Sequence, residues 1–90
     1  MMKIKEGFVL RKVGKEQVIV AIGPAAMILN GLIKLNTSGV FLWKMLSKGV
    51  TKEEMVTALQ EQYDITGAQA VHDVEVFAET LRKTGCLEEA

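Results

Sequence analysis

The stretch NGLIKLNTSGVFLWKML, residues 30–46, changes its hydrophobic period in the middle. Leu32, Ile33, Lys34 and Leu35 make a short apolar run of strand length. Beyond Asn36-Thr37 the apolar residues move to helical spacing, at Val40, Phe41, Trp43, Met45 and Leu46. Asn36 is a good N-cap, because its side-chain oxygen accepts from an amide that the first helical turn leaves unpaired. A cap alone therefore separates strand from helix, and the junction divides the chain into a β half and an α half.

In the β half, FVLRKV (8–13) and EQVIVAI (16–22) are rich in β-branched and apolar residues. Gly14-Lys15 between them has the length of a two-residue hairpin loop. Gly23-Pro24 ends the second run, and MIL (27–29), Asn30-Gly31 and LIKL (32–35) form another apolar–turn–apolar unit. The expectation is three main strands, the second broken near Pro24 and resuming at Met27.

In the α half, helix one is expected from Thr37 to Ser47, closed at Lys48-Gly49. Thr51 and Glu54 have the spacing of a capping box for helix two, whose apolar stripe is Met55, Val56, Leu59 and Tyr63. Helix three runs from Gly67 to just before Gly85, with Val71, Val74, Phe77, Ala78 and Leu81 on one face. Cys86-Leu87 is expected to pack back on the sheet edge. The order β-β-β-α-α-α gives an α+β, winged helix-turn-helix-like fold: a three-stranded antiparallel sheet followed by three helices.

Ninety residues suit one domain spanning 1–90, and an apolar fraction of 49% is too high for disorder. The single cysteine, Cys86, excludes an internal disulfide and fits a reducing cytoplasm. No apolar run approaches the roughly 18 residues of a membrane span. Net charge is zero but uneven: residues 1–36 carry six basic and two acidic groups, and residues 37–90 carry five basic and nine acidic ones.

Catalysis needs converging polar groups, and they are scarce here. His72 and Cys86 are single of their kind and lie most of a helix apart, too far for a nucleophile–base pair. His72-Asp73 point about 100° apart on a helix, and no second histidine completes a metal set. The reading is a non-enzyme with no cofactor and no metal. Trp43 and Phe41 lie among apolar neighbours and belong to a core.

Two binding functions remain. A winged helix that reads DNA places the second helix of its pair in the major groove. Here that helix carries Asp73, Glu75 and Glu79 before its first basic residue, Arg82, and would repel phosphate. A DNA-binding regulator stays as an alternative through Lys3, Lys5, Arg11, Lys12 and Lys15, although nucleic acid is not the expected partner; a structural subunit of a larger complex is another. The other function is peptide binding by strand addition to a free sheet edge, where the main chain gives affinity and alternate side chains set register. Leu32–Leu35, guarded only by Lys34, suits such an edge, although its pattern alone fits a plain core strand slightly better. An unpaired apolar edge with glycine hinges also permits strand exchange or a homodimer.

The ordered set NGLIKLNTSGVFLWKML, G-x-T-K-E-E-M from Gly49, L-x-x-x-Y-D (59–64), DVEVF (73–77) and L-x-x-x-G-x-L (81–87) resembles the PqqD family, from Phe8 to Leu87. The resemblance implies a peptide chaperone or adaptor of ribosomally made, post-translationally modified peptides. Such an adaptor binds the leader of a precursor peptide as an added strand and presents it to a maturase, typically a radical S-adenosylmethionine enzyme. It implies a peptide site at Leu32, Ile33, Lys34 and Leu35 on the third strand and at Ala70, Val71, Val74 and Phe77 on helix three. Ser47-Lys48-Gly49 where the PQQ-pathway members often have Asp-Gly, together with Trp43, points to a modified peptide other than PQQ.

Overall fold

In the computed structural model, which describes residues 1–23 and 33–89, the strand-to-helix junction is as abrupt as the sequence implies. Strand β4 (Ile33–Leu35) passes to helix α1 (Thr37–Leu46) through Asn36 alone. The Gly39 amide donates to Asn36 Oδ1 at 2.8 Å, which satisfies one orphan donor of the first turn. Gly39 sits at a close approach there. A Cβ at this position would lie 3.1 Å from Asn36 Oδ1 and 3.3 Å from Leu35 Cδ2.

Before this junction, β2 (Phe8–Val13) and β3 (Glu16–Ala21) form the expected hairpin, turning at Gly14 with φ +63°. The register runs from Phe8 opposite Ala21 to Val13 opposite Glu16. Strand β4 pairs antiparallel with β3, setting Ile33 opposite Ile19, Lys34 opposite Val18 and Leu35 opposite Gln17. The sheet order is β2-β3-β4, so β4 is an edge strand among the described residues. The expected break at Gly23-Pro24 is described only as far as Gly23. Met27–Leu29, the Asn30-Gly31 turn and Leu32 lie outside the described residues.

The pleat sends Phe8, Leu10, Ile19, Ala21, Ile33 and Leu35 to one face, where they join the helical core. Helices α2 (Lys52–Tyr63) and α3 (Gly67–Thr84) complete it. The capping box forms: the Thr51 amide donates to Glu54 Oε1 at 2.9 Å and the Glu54 amide to Thr51 Oγ1 at 3.1 Å. Ile19, Leu46, Met55, Val74 and Leu81 are wholly buried. Trp43 is buried with them, and Phe41 meets Tyr63 edge to face at 6.0 Å, so these aromatics pack the fold. Helix α3 ends in a left-handed cap at Gly85, φ +81°.

Two features depart from the sequence reading. Cys86-Leu87 does not return to the edge of the three-stranded sheet. Strand β5 (Leu87–Glu89) instead pairs antiparallel with β1 (Met2–Ile4) in a separate two-stranded sheet. The Gly85 turn directs the chain there, and the Lys5 amide donates to the Cys86 carbonyl at 2.9 Å. Lys3 stands opposite Glu88, a favourable cross-strand pair. The Met2 and Val50 amides and carbonyls exchange hydrogen bonds at 2.7 and 3.0 Å, fastening β1 to the α1–α2 connection. The second departure is Val71, which is exposed. At about 100° per residue it lies at the margin of the α3 stripe whose centre is held by Ala70, Val74 and Leu81. No helix among the described residues is long and apolar enough to cross a membrane.

Candidate functional site: a groove between an edge strand and helix α3

The edge of β4, unpaired among the described residues, borders an open groove of about 880 Å³. One side is formed by Lys34, Leu35 and the start of α1, including Asn36 and Gly39. The other side is α3, through His72, Asp73, Val76, Phe77 and Thr80. Buried Leu42 and Phe77 give it an apolar floor, and the β2–β3 turn supplies Lys15 and Glu16 at one end. The Asn36 cap and the tight approach at Gly39 hold one wall rigid. Rigidity of that kind reduces the ordering cost of a bound segment.

Polar groups around the groove are exposed and locally paired. Lys34 Nζ lies 3.2 Å from Glu16 Oε2, with both side chains more than half exposed, so the ion pair adds little stability. Asp73 accepts from Gln69 Nε2 at 2.7 Å. A second depression, about 940 Å³, lies along the other flank of α3. Its rim is charged and already crossed by the pairs Lys52–Glu75, Arg82–Glu79 and Arg82–Glu89. Its apolar lining is Met1, Met2, Val76 and Ala78, and it shares His72, Val76 and Thr80 with the groove.

The residues expected at a peptide site divide into several groups. Leu32 lies outside the described residues. Ile33 is half-buried and packs against the core, Lys34 is exposed at the edge that borders the groove, its side chain on the outer face of the sheet, and Leu35 lines the groove. Phe77 lines it too, at 8% exposure. Ala70 and Val74 are wholly buried and belong to the core, because they sit at the centre of the α3 apolar stripe. Val71 is exposed but stands outside the groove lining. In their place the fold brings His72, Val76 and Thr80 to the groove, spaced four residues apart along one helix face. The signal for them was Val76, an aliphatic residue off the core stripe that remains 52% exposed.

His72 and Cys86 are not brought together. His72 lies on the exposed groove wall, whereas Cys86 is wholly buried beside Thr84 Oγ1 at 3.3 Å. Burial pushes the Cys86 thiol pKa up, which disfavours the nucleophilic thiolate.

The sequence that builds this edge strand and the groove beside it matches a known family. The family model for coenzyme PQQ synthesis protein D (PqqD) matches residues 16–87. The chain belongs to the PqqD family. Among solved structures, TbiB1 in complex with the TbiA(beta) leader peptide is 23% identical, with a TM-score of 0.78, covering 98% of this chain and 96% of that one. Lasso peptide synthetase B1 complexed with the leader peptide is 14% identical, with a TM-score of 0.77 and 98% coverage of both chains. Both share the fold of this PqqD-family chain over almost its whole length. A comparison with curated proteins returns no match.

Proposed function

We propose that this PqqD-family protein is a leader-peptide adaptor. It binds the leader of a ribosomally made precursor peptide as a strand added to β4 and presents the peptide to a modifying enzyme. The observation that carries this reading is the β4 edge, unpaired among the described residues, beside the apolar-floored groove under α3. The two similar structures, each in complex with a leader peptide, support it. The protein acts as a binding partner and not as a catalyst, in the cytoplasm where precursor peptides are made. The modifying enzyme is a radical S-adenosylmethionine maturase. The fold shared with a lasso peptide synthetase component favours a lasso-type enzyme as the second candidate. The product is a modified peptide other than PQQ. A homodimer formed by strand exchange would use the same β4 edge and would compete with the leader.

The test is affinity capture with the tagged protein from cells expressing the pathway, followed by mass spectrometry. A short precursor peptide, recovered with the wild-type protein and lost with Ile33→Pro, is the expected result. Proline breaks the edge because it cannot donate a backbone hydrogen bond and restricts the strand. The same peptide recovered equally by a folded Ile33→Pro variant would sink strand addition. Salt-sensitive retention on DNA, without a peptide, would favour a regulator instead.

A further inference from the structure

We infer that the leader segment seated on β4 carries an apolar–acidic–apolar triplet, with the acidic side chain beside Lys34. This inference rests on the strand-addition reading and specifies its register. In β4 the pleat turns Ile33 and Leu35 toward the core and Lys34 to the outer face. A strand hydrogen-bonded to that edge follows the same alternation. Its residue beside Lys34 emerges on the outer face, and its two neighbours fall on the inner side, over Leu35, Phe77 and the exposed Val76. Apolar side chains suit those two inner positions.

The outer position is selected by charge. The β-sheet register places Arg11, Val18 and Lys34 in one row across the outer face, Arg11 and Lys34 flanking Val18. Val18 is 2% exposed, so the row reads cation, buried aliphatic, cation. The partner of Lys34 is Glu16, which stands two residues along β3 from the residue opposite, and both remain largely exposed. The next position in the row, across the free edge, belongs to the incoming strand. Directly opposed Cβ atoms lie about 4.5–5.5 Å apart, within reach of a carboxylate, and a lysine or arginine there would meet a like charge. The triplet is palindromic in type, so it holds whichever way the leader runs.

The experiment selects a random peptide library displayed on phage against four proteins: wild type, Lys34→Glu, Glu16→Gln and Ile33→Pro. Wild type is expected to enrich an acidic residue between two apolar ones, and Lys34→Glu a basic residue at that place. Glu16→Gln should sharpen the acidic preference by removing the competing carboxylate. Synthetic peptides from the wild-type motif should lose roughly up to fivefold in affinity when the acid becomes Gln, the range of one cross-strand charge pair. Should Lys34→Glu fail to fold, Lys34→Gln serves in its place and loses the preference. Peptides that depend on Ile33 yet show the same central residue with wild type and Lys34→Glu overturn the register and leave the adaptor reading standing. No enrichment, or enrichment indifferent to Ile33→Pro, overturns both.

Discussion

Replacing Gly39 with alanine sets two opposed effects against each other at the site's rigid wall. Alanine is the better helix former, by at most about 1 kcal/mol. Its Cβ, however, would sit 3.1 Å from Asn36 Oδ1, the atom that caps the Gly39 amide, and 3.3 and 3.4 Å from Leu35 carbons. Displacing the cap costs about 1 kcal/mol, and crowding a packed side chain typically adds about 1 kcal/mol or more. The net expectation is a loss of about 1 kcal/mol, which lowers the melting temperature of a domain this size by about 4–8 °C. Urea and thermal denaturation of Gly39→Ala, Asn36→Ala and the double variant would measure it. Without the Asn36 carbonyl the added methyl meets only Leu35, at 3.3 Å from Cδ2 and 3.4 Å from Cβ, and the helix-propensity gain offsets that crowding. Gly39→Ala in the Asn36→Ala background should therefore be neutral or stabilising, a swing of about 1 kcal/mol that only coupled neighbours show. Stabilisation by Gly39→Ala in the wild-type background, or equal effects in both backgrounds, would refute the reasoning. Because Leu35 lines the groove, the single variant should also weaken peptide binding.

Three further outcomes follow from burial and charge. Val76→Asp, on the exposed groove wall, should leave stability within about 0.5 kcal/mol yet weaken peptide binding about tenfold by removing a buried valine contact; Val74→Asp, in the core, should unfold the protein by circular dichroism. Leu46→Ala removes a wholly buried side chain and should cost about 2–5 kcal/mol in urea unfolding. The Thr51 amide hydrogen bond holds the Glu54 pKa below the usual carboxylate range. Its contribution is therefore present above the unfolded-state pKa and lost as pH falls through the lowered folded one. The stability difference between wild type and Glu54→Gln should be full at neutral pH and vanish on acidification below that range, as urea midpoints across pH would show.

Most of the α half was legible because its signals are local. Asn36, Thr51 with Glu54, and Gly85 each mark a helix end through bonds made within a few residues, and each forms as the sequence implies. The β2–β3 hairpin was legible for the same reason, its two-residue turn fixing the register. Strand β1 was not. Met2–Ile4 is too short to show alternation, and it becomes a strand only because β5 and Val50 supply partners from distant parts of the chain.

The candidate site shows the same division. Sequence alone marked a short strand with a single charge at Lys34 and the cap beside it, since these follow from composition and spacing over a few residues. That the strand is an edge came from the resemblance and from the sheet order. The sequence could not say which α3 residues face the groove. Helical period sets Val76 off the stripe of Ala70 and Val74, but period alone does not say that its exposed side borders a groove rather than open solvent. Local hydrogen bonding and hydrophobic period determined the elements. The tertiary placement of α3 across an open groove from β4 decided which side chains line the groove.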